Sequence, residues 1–171
     1  MTKTILVSYA TRYGTTQAAA GVVAEALRGH GFEVELLPAR EVRALERYHA
    51  VVLGAPLFMF HWHNDALQFL SRHQKALAER PAALFALGPV QSPINEQEWK
   101  DSREQLHKEL ARFIWLKPLA VEVFGGKYDP SKLGFPLKLF AGAAPASDIQ
   151  DLAAVRAWAA GLAVKFEPAA A

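Results

Sequence analysis

The 171-residue sequence contains no cysteine, which excludes disulfide bridges, thiolate metal sites, iron–sulfur clusters and cysteine nucleophiles. Redox chemistry in such a chain has to come from a bound cofactor. Charge of one sign is also scarce. Nineteen Lys and Arg against seventeen Asp and Glu leave a formal +2, far too little for a nucleic-acid groove or a polybasic membrane anchor. Long hydrophobic runs are missing as well. The longest nearly apolar stretch, residues 50–60, is broken by Gly54 and Pro56 and reaches about half of the roughly 20 residues that a membrane-spanning helix needs. The start, Met1 to Val7, runs straight into strand-like residues without the apolar core and cleavage site of a signal peptide, so a cytoplasmic protein is expected. What is present is an ordinary globular composition, 51% hydrophobic and 21% charged. One domain over residues 1–166 is expected, with 167–171 as a frayed tail.

Hydrophobic periodicity divides the chain into alternating strands and helices. Thr4 to Tyr9 is an apolar run; after a polar turn with Gly14, residues Ala18, Val22, Val23, Ala26 and Leu27 recur at helical spacing. That helix stops in Arg28-Gly29-His30-Gly31, and Glu33 to Leu37 reads as a second strand closed by Pro38. A short link with some helical character, Ala39 to Arg47, leads to Ala50-Val51-Val52-Leu53-Gly54, apolar without alternation as in a strand covered on both faces. Asn64 is placed to cap a helix carrying Ala66, Leu67, Phe69, Leu70 and Leu77, and Ala82 to Leu87 is a fourth buried strand. Asn95-Glu96-Gln97-Glu98 has the form of a capping box. It opens a helix whose Trp99, Leu106, Leu110 and Phe113 share one face and which Lys117-Pro118 ends. Leu119 to Phe124 is a fifth strand, and Ser147-Asp148-Ile149-Gln150 opens a last helix with Ile149, Leu152, Val155, Trp158 and Leu162 inward.

Five strands alternating with helices predict an α/β fold, a parallel sheet with helices on both faces. In such sheets ligands bind beyond the carboxyl ends of the strands, at a topological switch point. Two strand-end connections are long for a compact domain, Gly88 to Asn95 and Gly125 to Ala146, and long loops usually carry function.

The first strand end, Tyr9-Ala10-Thr11-Arg12-Tyr13-Gly14-Thr15-Thr16, has the composition of an anion site. Successive backbone N–H groups and the helix dipole attract a phosphate, three threonines add hydroxyl donors, and Gly14 permits close approach. A single glycine argues against the dinucleotide fingerprint, and the missing Gly-Lys-Ser/Thr against a P-loop, so a phosphate monoester is the expected ligand. Threonine and glycine are also common in strand-to-helix turns that hold no ligand, so on composition alone both readings stand.

Tyr9, Thr11, Gly14, Thr16, Ala20 and Val23 follow the flavodoxin signature, with Ser8 standing where that family usually has an apolar residue. On these positions, and on element order over nearly the whole chain, the sequence resembles the flavodoxin-like family. The resemblance implies a three-layer sandwich around a five-stranded parallel sheet in the order 2-1-3-4-5, with FMN as cofactor. It implies that Thr11, Arg12, Tyr13, Gly14, Thr15 and Thr16 surround the phosphate. A second loop, Gly54 to His63, carries Phe58, Met59, Phe60 and Trp62, which is too apolar for plain solvent and suits the flat walls that an isoalloxazine needs. The resemblance places Pro56, Leu57 and Phe58 against the ring; burial of Phe60 and Trp62 under the following helix is the alternative. It also sets the third loop, Leu87, Gly88, Pro89 and Val90, with its backbone against the pyrimidine side.

His61 and His63, with Asp65 close behind, lack a third firm ligand, so no metal is expected. Two readings remain for them, proton handling beside a flavin and hydrogen bonding to backbone at the start of a helix. Within the family the chain more closely resembles the flavodoxin-like protoporphyrinogen dehydrogenases. The shared features are the Gly54-Ala55 opening of the second loop, the His61-Trp62-His63 triplet and a long insertion after strand five, Phe124 to Ala141. The resemblance implies an oxidoreductase that passes reducing equivalents from a reduced substrate through FMN to an acceptor such as a quinone. A non-enzymatic electron carrier is the alternative. The insertion, apolar with Lys127, Lys132 and Lys138 interspersed, suits a quinone, a porphyrin, a partner subunit or peripheral membrane contact through residues 124–141, and equally an extra helix packed on the domain. A signalling receiver is rejected, because Ser8-Tyr9-Ala10 and Leu53-Gly54 stand where its acidic cluster and terminal Asp belong.

Overall fold

Runs of apolar residues too short for helices and buried on both faces pair side by side at the centre of the molecule. In the computed structural model, which describes residues 2–59, 61–132 and 146–167, the chain order is as follows. Thr4–Tyr9 (β1), Thr15–Gly29 (α1), Glu33–Pro38 (β2), Ala50–Phe58 (β3), His61–Trp62 (β4), Asn64–Arg72 (α2), Gln74–Ala78 (α3) and Ala82–Leu87 (β5) come first. Glu96–Leu110 (α4), Ala120–Phe124 (β6), Lys127–Tyr128 (β7), Ser147–Asp148 (β8) and Leu152–Phe166 (α5) complete it. The long strands lie in the order β2-β1-β3-β5-β6, all parallel. This is the expected 2-1-3-4-5 arrangement of an α/β flavodoxin-like fold, with two short antiparallel pairs added, β3 with β4 and β7 with β8.

The strand period of two sorts side chains into two cores. Ile5, Val7, Val52 and Phe85 pack with Val23 and Leu27 of α1 and Val155, Leu162 and Phe166 of α5. Leu6, Val51, Leu53 and Leu84 pack on the opposite face with Phe69 and Leu70 of α2 and Leu106 of α4. Each such aliphatic side chain contributes about 1.5–3 kcal/mol when fully buried. Ser8 is the polar intruder in β1. It is completely buried, and its hydroxyl donates to the Leu37 carbonyl at 2.9 Å, which satisfies it. Among the described residues no helix is long and apolar enough to cross a membrane.

Several element boundaries differ from the sequence expectation, each for a tertiary reason. The link from Ala39 forms only one helical turn, Ala39–Glu41, because arginines from elsewhere take its carbonyls: Arg72 donates to Ala39 and Arg80 to Leu45 and Tyr48. The strand after Ala50 does not stop at Gly54 but continues to Phe58 and turns back as a hairpin. The helix expected through Leu77 breaks at His73, whose ring leans on Phe69 and lies 3.3 Å from the Val42 carbonyl. His63, and not Asn64, caps that helix. The helix α4 ends at Leu110, well before Lys117. The last helix opens at Leu152 with Asp151 as its cap, since Ser147 and Asp148 are drawn into pairing with β7; Ile149 therefore precedes it and Leu152 is exposed. Phe60, residues 133–141 of the insertion with 142–145 after it, and residues 168–171 of the expected tail lie outside the described residues.

Candidate functional site

Parallel strands bring their carboxyl ends to one edge of the sheet, and there four chain segments enclose a cavity of about 310 Å³. The turn between β1 and α1 forms one end. Gly14 caps the helix in the left-handed conformation, φ +90°, which a residue with a Cβ adopts only at a cost. Its N–H donates to Thr11 Oγ1 at 2.8 Å, which leaves the Thr11 hydroxyl hydrogen available to a ligand. The helix has no side-chain cap and no acidic residue in its first turn. Its first N–H groups therefore keep their positive potential and lack intrahelical acceptors. Thr11, Arg12, Tyr13, Thr15 and Thr16 line the cavity.

The remaining walls are mostly apolar. Pro56, Leu57, Phe58 and Met59 come from the β3–β4 hairpin, and Leu87, Gly88 and Val90 from the end of β5. Burial of Trp62 fixes the hairpin from beneath: it is only 1% exposed and its Nε1 donates to the Ala55 carbonyl at 2.9 Å. Of the candidate residues, Gly14 and Pro89 do not line the cavity. Gly14 turns the chain, and the Pro89 carbonyl accepts the Gly126 N–H at 2.7 Å. The fourth wall, Gly126, Lys127, Tyr128 and Asp129, was not among the residues expected from sequence. Gly125 and Gly126 directly after a strand were the available signal, since this strand also ends at the ligand-binding edge.

The third loop is held on three sides. The Gly88 N–H donates to the Phe124 carbonyl at 3.0 Å and the Ser147 hydroxyl to the Val90 carbonyl. Glu98 Oε1 accepts from the N–H groups of both Val90 and Gln91. Half of the expected capping box is thus present. Asn95 Oδ1 accepts from Gln97 and Glu98 at 2.9 and 3.2 Å, while the Glu98 carboxylate serves the loop beside the cavity.

The two histidines of the hairpin separate in role. His63 Nδ1 accepts the Asp65 N–H at 3.1 Å. Burial, opposed by Asp65 and aided by Arg12 and Arg40, holds its pKa below the usual imidazole value. His61 Nδ1 instead lies 3.1 Å from Glu109 Oε1. Among the described residues no group of three or more His, Asp or Glu side chains gathers as a metal site. Arg12 places its guanidinium 4.2 Å from the centre of the Phe58 ring, a cation–π contact that joins the β1–α1 turn to the apolar wall.

The sequence matches the model of a family described as Flavodoxin domain over residues 6–140. No curated protein matches it. Solved structures of similar fold include a short-chain flavodoxin associated with a non-canonical PDU bacterial microcompartment, at 14% identity and TM-score 0.65, covering 96% of this chain and 99% of that one. Oxidised flavodoxin 1 from Bacillus cereus is 17% identical with TM-score 0.54, covering 98% and 100%. Rubredoxin oxygen:oxidoreductase from Desulfovibrio gigas is 14% identical with TM-score 0.56, covering 95% of this chain and 36% of that one. The structural likenesses establish the fold, and the family match implies FMN as the cofactor. The donor set fits that group. An uncapped helix start with threonine hydroxyls and no nearby acid in its first turn suits a phosphate monoester, and the Pro56–Met59, Leu87 and Val90 walls suit a flat, largely apolar ring.

Proposed function

Since the chain belongs to the flavodoxin-domain family, we propose that it is an FMN-dependent oxidoreductase resembling the protoporphyrinogen dehydrogenases of that family. It would pass reducing equivalents from a reduced small molecule to an acceptor such as a quinone. The cofactor supplies the redox chemistry when bound, and the protein supplies binding, orientation and electrostatics. Thr11, Thr15 and Thr16, with the backbone of Arg12 and Tyr13, hold the phosphate, and Gly14 shapes the turn with its own N–H given to Thr11. Pro56, Leu57 and Phe58 wall one side of the ring, and Leu87, Gly88 and Val90 the other, with Pro89 tying that loop to Gly126 through its carbonyl.

The observation that carries the enzyme reading is a second cleft of about 440 Å³ that shares Arg12 and Phe58 with the cofactor cavity. A cleft in direct contact with the cofactor wall gives a small substrate a place to sit. The near-balanced charge, +2, points the same way, because carriers that dock charged partners rely on a strong field of one sign. The second reading, an electron carrier serving redox-protein partners, is favoured by the single-domain flavodoxins that span nearly the whole of this chain.

Absorption spectroscopy comes first: FMN added to the protein is expected to give perturbed flavin bands, and riboflavin, which lacks the phosphate, is not. Anaerobic redox titration of the loaded protein then separates the two readings. Sustained turnover of a porphyrinogen with a quinone supports the enzyme. Two well-separated one-electron steps without turnover favour the carrier.

A further inference from the structure

The cleft beside the cofactor cavity is lined by Arg12, Phe58, His61, His63, Glu109 and Arg112, with Trp62, Asn64 and Leu67 completing it. Its polar groups are organised around one buried carboxylate. The Glu109 side chain is only 8% exposed; Oε1 lies 3.1 Å from His61 Nδ1 and Oε2 is 3.2 Å from Arg112 Nη2. An ionised carboxylate only accepts hydrogen bonds, so His61 Nδ1 carries the proton and Nε2 is left to face outward. Glu109 spends both oxygens within the protein and is nearly sealed from solvent. The His61 and Arg112 side chains that it orients stay largely exposed, at 76% and 60%. The arrangement presents the remaining Arg112 N–H groups to the cleft and keeps its one acid behind them, while His61 offers only an acceptor at Nε2.

We infer that this cleft is a binding site for an organic carboxylate, held by Arg112 on one side and Arg12 on the other. Two arginines and one glutamate line it, a formal +1 with both histidines neutral. That matches a singly charged carboxylate better than a phosphate dianion. A guanidinium already fixed through one edge by Glu109 offers its remaining N–H groups without further loss of side-chain freedom, and its planar fork suits a carboxylate. Arg12 lies on the Phe58 ring and lines both cavities, so a carboxylate here anchors the molecule one side-chain layer from the cofactor wall. The site rests on its own residues. Its role as the substrate anchor rests on the oxidoreductase reading above.

The test titrates naphthoate, with the uncharged naphthamide and the dianionic naphthyl phosphate as controls, by calorimetry into protein with and without FMN. Naphthoate is expected to bind the wild type at least about ten-fold more tightly than naphthamide. Arg112→Gln should erase that preference and Arg112→Lys keep part of it, while FMN affinity stays the same in both. Arg103→Gln, on the helix that precedes Arg112 but outside this cleft, should change neither. Equal binding of naphthoate and naphthamide to the wild type, or an undiminished preference in Arg112→Gln, overturns the site. Tighter binding of naphthyl phosphate overturns its assignment to carboxylates. Naphthoate binding by a protein that fails to bind FMN supports the carboxylate site and rejects the flavin reading alone.

Discussion

Gly54 is where the sheet tolerates no side chain. It pairs with Tyr9 on one side and Phe85 on the other, and the Phe85 ring lies across it. A Cβ at position 54 would stand 2.0 Å from Cζ and 2.2 Å from Cε1 of that ring. Carbon atoms at rest sit about 3.5–4.0 Å apart, so the ring has to retreat by about 1.5 Å. Phe85 is fully buried, and its retreat is blocked by edge contacts with Phe124 and Trp158, centroids 6.1 and 5.8 Å away. Overpacking in a closed core costs about 1–3 kcal/mol, and Gly54→Ala is expected at the upper end. At about 2–4 °C per kcal/mol for a chain of this size, the melting temperature falls by about 6–12 °C. Urea unfolding of Gly54→Ala, Phe85→Leu and the double variant measures the effect. Phe85→Leu alone loses its two aromatic contacts, about 0.5–1.5 kcal/mol each. It also opens room for the alanine methyl, so the double variant should be more stable than the sum of the singles by at least about 1 kcal/mol. Additive losses, or a Gly54→Ala protein within about 0.5 kcal/mol of wild type, would refute the clash as the reason for glycine here.

Three further outcomes are expected. Replacing Thr11 and Thr16 by Val removes two hydroxyls from the cofactor turn, each worth about 1.5–3 kcal/mol to a charged acceptor. Flavin-fluorescence titration should show FMN binding weakened by at least a hundred-fold, and unchanged affinity removes these residues from the phosphate site. Burial lowers the pKa of both His63 and His73 from the imidazole value. The unfolded chain therefore binds more protons in the window just below pH 6.5, and the stability from the neutral rings is complete above it and lost as pH falls through the lowered values. Urea midpoints should drop between pH 7.5 and pH 5.5, and His63→Ser, which keeps a cap on α2, should drop less. Glu98→Ala strips the shared acceptor from the Val90 and Gln91 N–H groups, costing about 1–3 kcal/mol. Faster amide exchange at those two positions is the readout, and unaltered exchange rates would show that Glu98 does not hold the loop.

Much of this was legible in the sequence, for a definable reason. Uninterrupted apolar runs such as Ala50–Leu53 and Ala82–Leu87 fit only strands buried on both faces, and the helical spacing from Ala18 to Leu27 fits only a helix packed on one side. The first strand-end turn was equally readable, because its threonines and Gly14 act locally, through the backbone of one turn. Boundaries were misread where a distant group supplies the hydrogen bonds: Arg72 and Arg80 for the link after β2, and Lys127 and Tyr128 for Ser147 and Asp148. The Asn95 capping box was half right for the same reason, since Glu98 found loop amides at Val90 and Gln91 in place of its own helix start.

By itself the sequence determined the layer architecture and the strand-to-helix turn after β1, since these follow from periodicity and from residues adjacent in the chain, and the strand order came with the family resemblance. Only the tertiary structure decided that Gly126–Asp129 closes the cavity, that Phe85 claims the space above Gly54, and that His61 meets Glu109 while His63 caps a helix. Each of these joins residues far apart in sequence. No local pattern encodes such a pairing, because the energy that selects it arises only once the sheet has brought the partners into contact.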